Sequence, residues 1–112
     1  MPTKDPREPF SRIDVAEAKD LLKRDDVVII DVREPNEYAE GHVPNATLIP
    51  VNSVFARKDE LPTDKEIIFI CRSGGRSALA AEMAAASGLT NPLYNLEGGT
   101  LAWVEAGEPV ES

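Results

Sequence analysis

Two short segments of the chain are almost entirely apolar and rich in β-branched residues. They are residues 27–32, Val-Val-Ile-Ile-Asp-Val, and residues 66–71, Glu-Ile-Ile-Phe-Ile-Cys. Neither shows the alternation of apolar and polar residues that marks a strand with one face in water. Continuous runs of this kind are typical of parallel strands that are buried on both faces. The chain is therefore expected to build a parallel sheet that helices cover on both sides.

Helical patterns alternate with the strand patterns along the chain. Asp14 and Glu17 form a capping-box pattern at the start of a helix that should fade by residues 24–26. Pro35 and Gly41 bound a short helix, with proline at its first position and glycine just past its end. The remaining predicted elements are helices at 52–61, 77–87 and 100–106 and strands at 47–49 and 93–95. The predicted fold class is therefore α/β, with a mostly parallel sheet of four to five strands.

The length of 112 residues corresponds to a single domain. Pro2, Pro6 and Pro9 indicate that the first dozen residues form an extended arm outside the packed elements. We expect an N-terminal arm over residues 1–12, one domain over 13–108 and a C-terminal tail over 109–112.

The charge balance argues against two classes of partner. Twenty acidic and twelve basic residues give a net charge of −8, whereas nucleic acids and anionic membranes bind clustered Lys and Arg. The chain has no apolar run of about 18 residues, and its first ten residues lack the apolar stretch of a secretory signal. One cysteine, Cys71, and one histidine, His42, exclude an internal disulfide and zinc sites with several Cys ligands. We expect a cytoplasmic protein, since a lone thiol suits a reducing compartment, with no cofactor and no metal.

The segment that carries chemistry runs from the end of a buried strand into a helix. It reads Cys71, Arg72, Ser73, Gly74, Gly75, Arg76 and Ser77. The two glycines allow positive φ angles, so successive backbone N–H groups can face inward and form an anion-binding nest. The next helix directs its N-terminal N–H groups to the same point, where Ser77 can cap the helix or donate to the sulfur. A thiol there should have a lowered pKa and be largely thiolate at neutral pH, provided that solvent can reach it.

Two reactions suit a thiolate in an anion-binding loop: attack on a phosphoester, or acceptance of a sulfane sulfur atom. Cysteine phosphatases place an arginine six residues after the cysteine, where it grips two phosphate oxygens. Here Ser77 holds that position and the arginine comes one residue earlier, at Arg76. The loop is therefore one residue too short for phosphatase or arsenate-reductase chemistry of that type.

Four motifs in order resemble the single-domain rhodanese family of sulfurtransferases, from about residue 13 to residue 107. Residues 31–34 read Asp-Val-Arg-Glu, and residues 37–46 read Glu-Tyr-Ala-Glu-Gly-His-Val-Pro-Asn-Ala. Residues 71–76 match the six-residue active loop of the family, and residues 96–103 read Leu-Glu-Gly-Gly-Thr-Leu-Ala-Trp. The departures are Val43 where the family has Ile and Asn45 where it has Gly.

The resemblance implies a three-layer α/β/α fold and a thiosulfate sulfurtransferase that works through a persulfide on Cys71. Loop N–H groups from Arg72 to Arg76 would hold the persulfide, and the two arginines could bind the oxyanion end of the donor. The acceptor, which would be cyanide, a small thiol or a protein cysteine, must come from outside because the chain has no second cysteine. An alternative is a sulfur-carrier or regulatory module that discharges its persulfide only to a specific protein partner.

Several other residues receive structural expectations. Asp31 and Arg33 follow a strand near the loop and are expected to form an ion pair or a loop anchor. The resemblance assigns His42 to loop architecture, because an ionised thiolate needs no base. Glu37 and Glu40 are expected to face solvent on a short helix. Phe69 and Trp103 are expected to lie in the core.

Overall fold

A computed structural model describes residues 2–112 as one six-stranded sheet with helices on both faces. The strand order is β1-β2-β6-β5-β3-β4, and every neighbouring pair is parallel except β1 and β2. The strands are β1 (Thr3–Lys4), β2 (Ser11–Ile13), β3 (Val27–Asp31), β4 (Thr47–Leu48), β5 (Glu66–Ile70) and β6 (Leu93–Leu96). The predicted α/β class and the mostly parallel sheet are confirmed.

Four α-helices cover the sheet: α1 (Val15–Leu22), α2 (Pro35–Glu40), α3 (Gly75–Ala86) and α4 (Gly99–Glu105). Alternate residues of β5 point to opposite faces of the sheet. Ile67 and Phe69 belong to the core cluster that includes the alanines of α3. Ile68 and Ile70 belong to a second cluster with Trp103 of α4 and with α1. The continuous apolar pattern of β5 therefore reflects burial on two sides.

The local signals at two helix starts gave the right boundaries. At α1, Asp14 accepts a hydrogen bond from the backbone N–H of Glu17, whose side chain accepts in return from the N–H of Asp14. Helix α2 has Pro35 at its first position and ends at Gly41, which has a φ of 155°. The boundaries of both helices could be predicted because they depend on residues that are close together in the sequence.

The predicted count of four to five strands is wrong, because two strands lie within the first thirteen residues. Residues Ser11–Ile13 form β2, which pairs in parallel with β6. Phe10 is buried in the core, so this segment is not the unpacked arm that its prolines suggested. The division into residues 1–12, 13–108 and 109–112 stays a prediction.

Two predicted helices differ from the structure. Residues 52–61 do not form one helix but two single turns of 3-10 helix, Val51–Ser53 and Lys58–Glu60. Asn52 and Ser53 favour turns over helix interiors because their side chains compete for backbone hydrogen bonds. Helix α3 begins at Gly75, with Gly74 as its N-cap, so Ser77 is not the N-cap. No helix within residues 2–112 is long and apolar enough to span a membrane.

Candidate active site

The sulfur of Cys71 lies where β5 ends and the loop to α3 begins. The backbone N–H of Gly74 donates to Cys71 Sγ at 3.0 Å. The Ser77 hydroxyl lies 3.3 Å from Sγ, in the first turn of α3. The loop therefore turns polar hydrogens toward the thiol, as the nest prediction required.

These donors change the acidity of the thiol. Burial of Cys71 raises its pKa, because burial disfavours the charged thiolate. Hydrogen bonds from the Ser77 side chain and from the backbone N–H groups of Ser77, Gly74 and Ser73 act in the opposite direction. Their combined effect is larger, and the pKa of Cys71 lies below its ordinary value. The thiolate is thus stabilised by the loop.

The thiol is not open to solvent in this arrangement. Cys71 is 1% exposed, whereas Arg72, Ser73 and Gly75 around it are exposed. This burial differs from the open thiol that catalysis was expected to need.

Only one of the two loop glycines uses the left-handed region. Gly74 has a φ of 115°, while Gly75 is an ordinary helical residue. The sequence analysis allowed positive φ at both glycines, and Gly75 does not use it. Gly74 alone supplies the turn that directs its N–H at the sulfur.

Helix α4 holds the loop from the other side. Thr100 donates to the Cys71 carbonyl oxygen from its N–H at 2.8 Å and from its hydroxyl at 3.0 Å. The N–H of Leu101 donates to the Arg72 carbonyl oxygen at 3.1 Å. At Gly99, a Cβ atom would lie 2.4 Å from the Cys71 oxygen. The late glycine motif thus permits a close approach between α4 and the backbone of the active loop.

The two loop arginines have different environments. The Arg76 guanidinium donates to both carboxylate oxygens of Glu37, at 2.8 and 2.9 Å. Arg76 lowers the pKa of Glu37 to about 2, and the N–H of Glu34 contributes. Glu37 is therefore not a free surface residue, which corrects that expectation. Arg72 is exposed and makes no ion pair with the residues that the structure describes.

The residues expected to support the loop lie in two groups. Asp31 and Arg33 form a buried pair, with Arg33 Nη2 at 2.7 Å from Asp31 Oδ2 and 2.8 Å from the Gly41 oxygen. The His42 and Tyr38 rings stack with their centroids 3.6 Å apart. His42 Nδ1 lies 2.8 Å from the backbone carbonyl oxygen of Tyr38. No group of three or more His, Cys, Asp or Glu among residues 2–112 is placed to hold a metal ion.

A cavity of about 410 Å³ opens beside the loop. It has both charged and apolar walls, and Arg72 is the loop residue that lines it. Leu101, Val104 and Val110 form part of the wall, and each is 44–54% exposed. We refer to these three side chains as the apolar rim.

The roles of two residues at the site were not predicted, since Glu37 was expected to face solvent and Asn95 was assigned no role. Glu37 is 39 positions from its partner Arg76, so no local pattern links them. Asn95 contacts Ser77 from β6, at 2.5 Å between Oδ1 and Oγ. The one signal for Asn95 was a polar amide between Tyr94 and Leu96 in a predicted buried strand.

A family model for the Rhodanese-like domain matches residues 14–106. This chain belongs to the rhodanese family, so the resemblance carried by the four motifs is confirmed, and its relatives include sulfurtransferases. A sulfurtransferase of Allochromatium vinosum is 37% identical over 90 residues, which are 80% of this chain and 83% of the relative. The thiosulfate sulfurtransferase GlpE of Pseudoalteromonas translucida is 35% identical over 97 residues, which are 87% of this chain and 91% of the relative.

The fold is also similar to that of solved structures. A Rhodopseudomonas palustris protein of unknown function, described as a possible tyrosine phosphatase, superposes with a TM-score of 0.82 and 32% identity. The similarity covers 99% of both chains.

Proposed function

We propose that this protein transfers a sulfane sulfur from a donor such as thiosulfate to a thiophilic acceptor through a persulfide on Cys71. The observation that supports this most is the ring of donors on Cys71 Sγ, which lowers the pKa of the thiol. Residues 72–77 form the binding loop in this proposal. Asp31, Arg33 and His42 hold the neighbouring segments in place.

The proposed cycle has two steps. Cys71 thiolate attacks the outer sulfur of thiosulfate, the S–S bond of the donor breaks, and sulfite leaves with the electron pair. The negative charge then resides on the outer sulfur of the persulfide. An acceptor attacks that sulfur and releases Cys71 thiolate, so that cyanide becomes thiocyanate. The acceptor is external, because Cys71 is the only cysteine.

The burial of Cys71 adds a requirement to this cycle. The donor's outer sulfur has to contact Sγ, which is 1% exposed. We propose that the loop opens locally at its exposed residues, Ser73 and Gly75, when the donor binds. A lone thiol that must stay reduced also supports a cytoplasmic location as part of the proposal. The acidic balance argues against nucleic acid and anionic membranes as partners, and the partners in this proposal are a small sulfur donor and a thiophilic acceptor that is a small molecule or a thiol protein.

Intact-protein mass spectrometry tests the proposal directly. After exposure to thiosulfate, the protein is expected to gain ~32 Da, one sulfur atom, and to lose it on addition of cyanide. Prior alkylation of Cys71 should prevent the gain. No gain in mass at millimolar thiosulfate would contradict the proposed nucleophile.

Arg72 is the loop cation that supports donor binding. The Arg76 guanidinium is bound by the Glu37 carboxylate. Arg72 lines the cavity, and its guanidinium makes no ion pair with any residue that the structure describes. We expect Arg72→Ala to raise KM for thiosulfate by about tenfold with a smaller change in kcat, since one charge-assisted hydrogen bond is lost. Steady-state kinetics measure this, and Arg7→Ala removes the same charge at an exposed distant site. If both substitutions raised KM equally, the cause would be the change in net charge and not a contact between Arg72 and the donor.

Phosphatase chemistry receives less support. A phosphatase arginine must be free to grip two phosphate oxygens. Arg76 is one residue early for that role, and its guanidinium is held in a two-point contact by Glu37. Hydrolysis of an aryl phosphate at a rate that rivals sulfur transfer would overturn this argument.

The apolar rim favours a second candidate function, a sulfur carrier that serves one protein partner. Leu101, Val104 and Val110 line one cavity with Arg72, the residue that follows Cys71. Exposed apolar side chains grouped around a site are typical of protein contacts. The mass-spectrometric assay separates the two functions. Rapid discharge to cyanide and small thiols supports the enzyme, and a stable persulfide that discharges only to a protein thiol supports the carrier.

A further inference from the structure

A buried amide lies below the active loop. Asn95 is 1% exposed in β6, on the same face as Leu93, which packs in the cluster with the alanines of α3. Burying an amide costs free energy unless its polar atoms find partners. Each atom of the Asn95 amide has a partner, and two of the three partners belong to the active loop and the first turn of α3.

The orientation of this amide is fixed by its neighbours. Asn95 Nδ2 donates to Glu97 Oε2 at 2.6 Å and to the Gly74 carbonyl oxygen at 3.2 Å. Both partners can only accept, so the nitrogen must be on that side. Oδ1 therefore faces the Ser77 hydroxyl at 2.5 Å.

The Ser77 hydroxyl has one proton and three acceptors within reach. They are Asn95 Oδ1 at 2.5 Å, the Gly74 oxygen at 3.2 Å and Cys71 Sγ at 3.3 Å. A charged acceptor forms the stronger hydrogen bond, so the hydroxyl turns toward the sulfur when the sulfur is a thiolate. When Sγ is uncharged, the hydroxyl donates to Asn95 Oδ1 instead. The thiolate and Asn95 Oδ1 therefore compete for the single Ser77 proton.

We propose that Asn95 is a positioning residue, which holds Gly74 by its carbonyl oxygen and Ser77 by its hydroxyl, so that the Gly74 N–H and the Ser77 hydroxyl can donate to Cys71 Sγ. The proposal rests on the proposed function for its catalytic meaning, because it assigns to Asn95 the support of the nucleophile. In the persulfide the charge lies on the outer sulfur. Asn95 Oδ1 then accepts the hydrogen bond of the Ser77 hydroxyl, so this buried donor keeps a partner.

Most charged groups around the sulfur are held in ion pairs, and Arg72 is the exception. Arg76 pairs with Glu37 on α2, and Asp31 pairs with Arg33 beside β3. On β6, Glu97 pairs with Arg12. A neutral substitution of Asn95 leaves all these charges in place. Its effect on Cys71 would therefore come through the loop and the hydroxyl.

The test is the pH dependence of Cys71 alkylation by iodoacetamide in Asn95→Leu. We expect the pKa of Cys71 to rise, so that alkylation at pH 7 slows by roughly three- to tenfold. At high pH, where every variant is thiolate, the rates should converge. Leu93→Ala is the matched control, because Leu93 lies on the same strand and face and its apolar side chain makes no hydrogen bond to the loop. It should leave the pH profile unchanged.

Ser77→Ala tests the route of the effect. Adding Asn95→Leu to Ser77→Ala should slow alkylation by a smaller factor than Asn95→Leu alone, since the shared hydroxyl is already gone. If Asn95→Leu does not fold, Asn95→Ala removes the same polar atoms without adding a charge, and the pKa should again rise.

Three results would overturn the proposal. They are an unchanged or lowered pKa in a folded Asn95 variant, equal slowing at all pH values, and a full effect in the Ser77→Ala background. Alkylation uses no sulfur donor. A protein that takes no sulfur from thiosulfate but shows the expected pH shift would therefore refute the proposed function and leave this inference standing.

Discussion

Cys71→Ser is expected to lower sulfur transfer from thiosulfate to cyanide by at least about a thousandfold while the protein stays folded. A serine hydroxyl is not ionised near neutral pH, so the loop donors have no anionic nucleophile to stabilise. Thiocyanate formation measures the loss. Because oxygen replaces sulfur in nearly the same shape, the free energy of unfolding should change by about 1 kcal/mol or less.

The control for this prediction is a substitution that disturbs the same loop but keeps the sulfur. Ser73→Ala changes an exposed loop residue whose contribution to Cys71 is a backbone N–H. It should retain most of the activity. If Cys71→Ser also kept more than about a tenth of the activity, the persulfide mechanism would be wrong.

The central sheet could be predicted because its information is local. Strands β3 and β5 are buried on both faces, and their residues are apolar for that reason. Strand β2, near one edge of the sheet, has no such apolar pattern. Ser11–Ile13 contains one strongly apolar residue, and it becomes a strand because β6 lies beside it, more than eighty positions along the chain. Pairing over that distance is a tertiary effect that a local pattern does not contain.

The same distinction applies to the site. The loop 71–77 could be predicted because its thiol, glycines and arginines lie within seven residues of the sequence. The pairing of Arg76 with Glu37, which leaves Arg72 as the exposed loop cation, depends on where α2 packs. Asn95 was missed because its partners come from the loop and from α3. The burial of Cys71 is likewise a property of the packed fold.

Gly99→Ala is expected to destabilise the protein by about 3 kcal/mol or more, the largest effect on stability among the glycines of the fold. The added Cβ would lie 2.4 Å from the Cys71 carbonyl oxygen and 2.6 Å from the Arg72 oxygen. These are backbone atoms, which cannot rotate away as a side chain can. The first turn of α4 would have to move off the loop, and thermal unfolding should show a Tm lower by about 10 °C or more.

Gly107→Ala is the control that distinguishes the steric clash at Gly99 from the cost of placing alanine at a positive φ. Gly107 also has a positive φ, 79°, but a Cβ there would meet nothing within 4 Å. Its replacement should cost only about 1 kcal/mol, the strain of a left-handed non-glycine residue. If the two variants had the same Tm, α4 would be able to move away from the loop at Gly99 at little cost. A much lower Tm for Gly99→Ala, with slower alkylation of Cys71 in the folded fraction, would show that the close approach of α4 fixes the backbone of the active loop.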